Sequence, residues 1–254
     1  MYLTKYIVIL LAFSLGSTAS HADDVDPDNL WKIVSLRCVP DQKEFGSPAP
    51  CETVDPSNGY VILRDVSAEK PTNRLLIPTM RIVGLGGIGK EGAINYWRFG
   101  WQARRSVLSR DYVGMAVNSD IRRSQAQLHI HIDCLSKYVV DELKKWEANA
   151  KNTATRTWQR PFDEKSGDLA PYRTMRIESD DLSDVDPSKL VYDSLGADKA
   201  SMPLHTIVVA GVSASDRFKA GFYILDSVAS ETPSNHGSGE RLLDHKCAIA
   251  ASLR

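Results

Sequence analysis

Two histidines alternate with aliphatic residues in the short segment QLHIHIDC, which covers residues 127–134. If this segment is an extended strand, alternate side chains share one face of the sheet. The apolar face would then carry Leu128, Ile130, Ile132 and Cys134. A row of polar side chains is costly to bury unless the groups are paired or used. The first candidate for a site is therefore the polar face, which is formed by Gln127, His129, His131 and Asp133.

Four interpretations of the two imidazoles are open: core filler, a metal site, a phosphate-binding pair, or a nucleophile with its helper. An exposed strand face carries such residues without any chemistry. A zinc site needs at least one ligand beyond the pair, and neither His205 nor His245 stands at a ligand spacing, so we expect no metal. A neutral imidazole can attack phosphorus, and a protonated one can stabilise phosphoryl oxygens. Phosphate chemistry thus gives each imidazole a separate task.

The elements around this segment alternate between extended and helical patterns. Short apolar runs bounded by turn residues predict strands at 59–65, 74–82, 112–120 and 127–134. Apolar residues at helical spacing predict helices at about 91–110 and 137–150. Residues 30–37 are compatible with a short helix or strand, and a proline-containing loop is predicted from there to Asn58. The glycine-rich segment 84–92 lacks a Walker ending, so we interpret it as a flexible connection.

The second half of the chain has weaker patterns. Asp186 followed by Pro187 predicts the start of a short helix that ends near Gly196. Residues 204–212 and 217–226 are predicted to form paired strands, and 231–239 a loop. Strands joined by short turns, with helical excursions, indicate an α+β fold with an antiparallel sheet. We expect residues 23–150 to form the core and 151–254 to extend it in the same compact body.

The composition is that of a globular protein, and the first residues differ from the rest. The 254 residues carry a formal net charge of -1, so no nucleic-acid partner is expected. Lys5, a short apolar run and small residues up to Ala22 predict a secretory signal over residues 1–22. The apolar run is about half of what a bilayer span needs, although an uncleaved anchor remains the alternative. We therefore expect an exported protein.

Export changes the interpretation of the four cysteines. An even number of cysteines in an exported chain favours disulfides, and three pairings are possible. Cys38 and Cys51 are close in sequence and flank a polar loop, so we pair them. The remaining bridge, Cys134–Cys247, would tie the histidine strand to the C-terminal segment. Four free thiols are the alternative.

The histidine segment resembles the signature of the histidine-triad (HIT) family. In SQAQLHIHI, residues 124–132, the three triad positions are Gln127, His129 and His131. The resemblance implies a HIT-like fold in which the middle residue, His129, is the nucleophile and His131 assists it. It also implies that Gln127 replaces the residue that orients the nucleophile. Ser124 stands where the family places a hydroxyl near the phosphate or the leaving group.

An upstream segment carries more of the same pattern. DVSAEKPTNRLLIPTMRI, residues 65–82, is similar to the HIT segment in which an Asp begins a turn and a strand ends in Ile-Pro. The resemblance implies that Asp65 binds the ribose hydroxyls, with Leu63 and Val66 against the base. Asn118, on the preceding strand, matches a polar residue that faces the phosphate. The alternative is that Asp65 and Asn118 are ordinary turn or strand-end residues.

One branch of the superfamily fits more of the chain, including the four cysteines and the closing NHGSGERLLDHKC. These segments together resemble the bacterial CDP-diacylglycerol pyrophosphatase family. The resemblance implies hydrolysis of CDP-diacylglycerol to CMP and phosphatidate at a membrane surface, without a cofactor, by a periplasmic or inner-membrane-associated protein. Glu240 and His245 would reach the site if Cys247 pairs with Cys134. A HIT-type hydrolase of a soluble nucleotide conjugate and a non-catalytic exported metal or nucleotide binder are the alternatives.

Overall fold

A computed structural model describes residues 26–104, 108–149, 155–229 and 237–251 of the chain. The expected signal, residues 1–22, lies outside these ranges, as does most of the expected loop 231–239. Within them, the α-helices are α1 (Asn29–Ile33), α2 (Val39–Phe45), α3 (Tyr96–Gln102), α4 (Lys137–Asn149), α5 (Pro187–Ser194) and α6 (Ala248–Ala251). The strands are β1 (Thr53–Asp55), β2 (Tyr60–Arg64), β3 (Arg74–Pro78), β4 (Val113–Val117), β5 (Ile130–Leu135), β6 (Arg173–Glu178), β7 (His205–Val212), β8 (Gly221–Val228) and β9 (Leu243–Asp244).

The described strands form one antiparallel sheet in the order β1-β2-β3-β5-β4-β7-β8-β6, and β9 pairs with β5. This arrangement confirms the predicted α+β fold with an antiparallel sheet. The β2–β3 hairpin and the β7–β8 pair were both expected, whereas β6 was missed. Because β4 pairs with β7, the sheet continues from the first half of the chain into the second. The division near residue 150 stays a prediction.

The two faces of the sheet are covered differently. On one face Ile130 and Ile132 of β5 join the largest core, which contains Trp97 of α3. On the other face His131 pairs in register with Leu75 and with Ala116. Leu75 belongs to a small cluster under α1 and the first disulfide, and Ala116 to a cluster under α4. The histidine face therefore lies between two separate hydrophobic clusters.

The helix predicted at 91–110 is much shorter in the structure, where α3 covers only Tyr96–Gln102. Before it, the Asn95 side chain donates hydrogen bonds to the carbonyls of Leu182 and Val185, which fixes an extended entry into the helix. After it, the Arg104 guanidinium donates to the Trp101 carbonyl at 2.6 Å. A tertiary contact at the start and a local side-chain bond at the end thus limit a helical pattern that continues in the sequence.

The loop predicted before Asn58 is also partly wrong. A π-helical turn, Val34–Cys38, continues directly into α2, which ends at Phe45. Pro40 lies in the first turn of α2, directly after the π-helical turn, so the change of helix type coincides with the proline. Gly46 ends the helix with a positive φ of 67°. Both predicted disulfides, Cys38–Cys51 and Cys134–Cys247, are confirmed.

Candidate active site

The two histidines of the opening segment lie side by side. β5 begins at Ile130, so His129 directly precedes the strand and His131 is its second residue. The ring centroids are 4.9 Å apart with an interplanar angle of 71°. His129 is 8% exposed and His131 is 4% exposed. The pair is therefore nearly withdrawn from water, which makes its hydrogen bonds decisive for its protonation.

The backbone fixes the tautomer of His129. Its Nδ1 lies 2.8 Å from the carbonyl oxygen of Gln127. A carbonyl oxygen only accepts, so Nδ1 carries the proton and Nε2 keeps its lone pair. Burial lowers the pKa of His129, although the hydrogen bond to Gln127 opposes this. The ring is thus neutral and presents an unprotonated Nε2.

The side chain of Gln127 has a different task from the one that its triad position implies. Its amide nitrogen donates to the carbonyls of Pro78 and Met80, and its amide oxygen accepts from the backbone N–H of Ile82. The side chain anchors the segment that follows β3, and these bonds explain why the strand predicted to Ile82 stops at Pro78. Gln127 orients His129 through its backbone carbonyl.

His131 has two alternative partners at Nδ1. The Glu240 carboxylate lies 3.3 Å away and the Asn73 side-chain nitrogen 3.2 Å away. Its Nε2 is buried and has no hydrogen-bond partner among the described residues. Burial lowers the pKa of His131 well below its ordinary value, despite the opposing charge of Glu240. His131 is therefore neutral, and its Nε2 is left without a partner among the described residues.

The other expected binding residues are only partly brought together. Asp65 accepts a hydrogen bond from Asn73, which joins it to His131. Leu63 is buried in the cluster under α1, while Val66 is 91% exposed. Ser124 is exposed, and its hydroxyl makes no hydrogen bond within the described part of the chain. Their contacts with a base or a phosphate stay predictions.

Asn118 and Glu240 meet at the centre of the histidine face. The Asn118 amide donates to Glu240 at 3.0 Å, and its oxygen accepts from the Glu240 backbone N–H. Glu240 lies in a 3-10 turn, Gly239–Leu242. A Cβ on Gly239 would come within 2.8 Å of the Val208 side chain, so glycine lets this turn lie against the sheet. Glu240 was noted from the sequence only as a residue that the second disulfide brings near.

The Glu240 carboxylate is surrounded by donors. Lys70 Nζ lies 2.5 Å from it, and His245 Nε2 lies 3.4 Å from it. Burial alone would raise the pKa of Glu240, but the hydrogen bond from His245 and the nearby Lys70 hold that pKa well below its usual range. Glu240 is thus a partly buried, ionised carboxylate. Lys70 was missed from the sequence because it looks like an ordinary residue of the β2–β3 turn.

The C-terminal segment supplies a third imidazole. His245 Nδ1 lies 2.8 Å from the Asp133 carboxylate, and Asp133 also accepts from the Thr72 hydroxyl. Burial lowers the pKa of His245, but Asp133 and Glu240 outweigh it and raise that pKa to about 9. Two residues later Cys247 is bonded to Cys134, the neighbour of Asp133. In the structure Glu240 and His245 both lie beside the histidine strand, as expected if Cys247 pairs with Cys134.

The fold and the site together define an α+β protein with a pair of buried, neutral histidines on a central strand of its sheet. The family model described as CDP-diacylglycerol pyrophosphatase matches residues 25–251. A protein of Yersinia pestis named CDP-diacylglycerol pyrophosphatase is 29% identical over 262 residues, covering 99% of this chain and 95% of that protein. The chain belongs to the CDP-diacylglycerol pyrophosphatase family, as the sequence resemblance indicated, and is a hydrolase that acts on a pyrophosphate bond.

Two further features bear on the expected surroundings of the site. Among the described residues, no cluster of three or more histidine, cysteine or acidic side chains is arranged to hold a metal ion. No helix in the same ranges has the length and hydrophobicity needed to cross a membrane.

Proposed function

We propose that this chain hydrolyses CDP-diacylglycerol to CMP and phosphatidate through a covalent nucleotidyl intermediate on His129. Membership of the family supports the substrate and the reaction. The observation that carries the covalent step is the hydrogen bond from Nδ1 of His129 to the Gln127 carbonyl. It leaves Nε2 unprotonated in a neutral ring, which is the state that a nucleophilic imidazole requires.

In the first step Nε2 of His129 attacks the phosphorus of the CMP group. The bond from that phosphorus to the bridging oxygen breaks, and phosphatidate departs with the electron pair. The developing negative charge is compensated by Lys70, which lies beside the Glu240 carboxylate. The product of this step is a cytidylyl group bonded to Nε2, with the Nδ1 proton still held by the Gln127 carbonyl.

In the second step water attacks the same phosphorus. The phosphorus–nitrogen bond breaks, its electron pair returns to Nε2 of His129, and CMP is released. Splitting one displacement into two gives each a nucleophile held in place. We further propose that Asp65 holds the ribose hydroxyls, that Asn118 and Ser124 face the phosphate, and that the base lies near Leu63 of β2 and Val66, which follows that strand.

The membrane surface is the proposed place of action, since the substrate of the family is a lipid. Two disulfides are compatible with export, because they persist in oxidising compartments. The proposed location is the periplasm or the periplasmic side of the inner membrane, with residues 1–22 as the export signal. Vesicle flotation of the full chain, with and without residues 1–22, tests whether that segment anchors the protein.

The test of the covalent step uses CDP-lipid labelled in the CMP phosphate. Wild type is quenched during turnover and separated on a gel without acid, because a phosphoramidate is acid-labile. We expect label on wild type, and neither label nor turnover in His129→Ala. His205→Ala is the matched control, because His205 is another buried histidine with its own hydrogen-bond partner. Its Nδ1 lies 2.7 Å from the Asp226 carboxylate. Near-normal turnover in His129→Ala would overturn the proposal.

The rival activities are separated by substrate and by chelator. A short-chain, water-soluble CDP-lipid is compared with ADP-linked nucleotides at equal concentration. Preference for the nucleotides would favour a hydrolase of soluble conjugates. Turnover that persists in chelator excludes a purely metal-binding role.

A further inference from the structure

We propose that Glu240 and His245 are positioning residues for the second half of the reaction, because they hold His131 as the general base for water. This inference rests on the proposed covalent function and assigns a role that the triad resemblance does not contain. It concerns two residues from the last fifteen of the chain, which the second disulfide joins to the histidine strand.

The first observation is the state of Glu240. Its carboxylate lies 3.3 Å from His131 Nδ1, and it is ionised because Lys70, His245 and Asn118 all face it. A hydrogen bond to an ionised acceptor is roughly twice as strong as a neutral one. The carboxylate can only accept, so it favours the tautomer of His131 with the proton on Nδ1; the Asn73 amide nitrogen can only donate, and in this tautomer it donates to Asp65 at 2.9 Å.

The consequence lies at the other nitrogen of the ring. With the proton on Nδ1, the Nε2 of neutral His131 carries a lone pair. This atom is buried and without a described partner, and its ring is 4.9 Å from the ring of His129. A lone pair beside the nucleophile is placed to accept a proton from a water molecule that approaches the nucleotidyl phosphorus. As that proton arrives, Glu240 stabilises the imidazolium that forms.

His245 keeps Glu240 in place. It contacts Glu240 through Nε2 and Asp133 through Nδ1, and both contacts are donations only when the ring is protonated. The Cys134–Cys247 bond begins one residue after Asp133 and ends two residues after His245. The order of contacts from the disulfide is therefore Asp133, His245, Glu240 and His131, and each member fixes the next.

The proton balance of the step is complete without a further reactant. The water oxygen forms the new bond to phosphorus, and one water proton passes to His131 Nε2. The phosphorus–nitrogen bond breaks toward His129, whose Nδ1 proton does not move. CMP leaves, and His131 returns its extra proton to solvent.

The test separates formation of the nucleotidyl enzyme from its decay. Wild type and Glu240→Gln are mixed in single turnover with CDP-lipid labelled in the CMP phosphate. We expect decay to slow by about 10²- to 10³-fold in Glu240→Gln, while formation changes less than about tenfold, so the labelled enzyme accumulates. The value of kcat/KM, which reports formation of the labelled enzyme, should stay within about tenfold of wild type, whereas kcat and the apparent KM should fall together because decay limits turnover.

The controls distinguish a positioning role from a loss of folding. His245→Gln should slow decay by a smaller factor, about tenfold, because a glutamine amide can still donate to Glu240 but carries no charge. His205→Gln changes an equally buried histidine–carboxylate pair outside the site and should leave both steps unaltered. If Glu240→Gln does not fold, His245→Gln gives the same readout.

Two results bear on the proposals separately. Equal slowing of formation and decay in Glu240→Gln, or slowing of neither, overturns the role of Glu240 and His245 while leaving the covalent intermediate intact. Absence of labelled enzyme from wild type, under conditions of rapid turnover, overturns the covalent function itself.

Discussion

The protonation of His245 predicts a pH-dependent part of the stability. The pKa of His245 is raised from an ordinary 6.5 to about 9, because Asp133 and Glu240 outweigh the effect of burial. A raised pKa means that the folded state binds the proton more tightly than the unfolded chain does. This stabilisation is fully present below about pH 6.5 and is lost as the pH rises through about 9.

The expected magnitude follows from the size of the shift. At about 1.4 kcal/mol per pKa unit, the protonated form of His245 contributes about 3 kcal/mol to the free energy of unfolding. The side chain is 18% exposed, so little of this is lost to screening by solvent. Replacing His245 with glutamine removes the titrating group and leaves a side chain of similar polarity.

The assay is urea unfolding of wild type and His245→Gln, with disulfides intact, at several values between pH 6 and pH 10. The difference between the two free energies of unfolding contains a constant part from altered packing and a part that varies with pH. We expect the difference to shrink by about 3 kcal/mol from the lowest to the highest pH. A difference that stays constant across this range would refute the charged state assigned to His245.

Three further outcomes are expected. Removing the Cys38–Cys51 bridge, which spans 13 residues, should lower the free energy of unfolding by about 3 kcal/mol and leave turnover of the folded protein unchanged. Removing the Cys134–Cys247 bridge should lower it by about 5 kcal/mol by the same chain-entropy argument. It should also reduce turnover, because it frees His245. Trp97→Ala should lower the free energy of unfolding by about 3–5 kcal/mol in urea titrations, since the side chain is 1% exposed and its Nε1–H donates to Ser188; a loss below about 1 kcal/mol would contradict its place in the core. Glu240→Gln should weaken the acid sensitivity of wild type, because a lowered carboxyl pKa contributes stability above pH 4.5 that is lost on acidification; stability curves that run parallel below pH 4.5 would contradict this.

The strands nearest the site were predictable because their buried residues form short apolar runs in the sequence, bounded by turn residues. β2, β3 and β4 lie within segments predicted as strands, and β5 extends one residue beyond the end of the fourth, to Leu135. The start of α3 was not predictable, because the Asn95 side chain bonds to the carbonyls of Leu182 and Val185, which only the tertiary structure brings near. The helix α2 was hidden by Pro40, which indicates a loop unless its place in the first turn is known.

The residues of the candidate site were also only partly predictable from the sequence. Alternation within one segment was enough to indicate His129 and His131. Lys70 and Asn73 lie in the connection between β2 and β3. Their approach to the histidines depends on the pairing of β3 with β5. No local pattern encodes that pairing. Glu240 and His245 were indicated only because the cysteine count suggested a bond to the end of the histidine strand.

The replacement of the first triad histidine by Gln127 is then compatible with a working site for two separate reasons. The backbone carbonyl of Gln127 sets the tautomer of His129, and this bond does not depend on the side chain. The amide is thereby free to anchor the segment after β3, where it makes bonds with both nitrogen and oxygen that an imidazole cannot reproduce. The third imidazole, that of His245, comes instead from the C-terminal segment. Its position between Asp133 and Glu240 keeps it protonated at neutral pH. The buried His131 on the strand itself is neutral at the same pH.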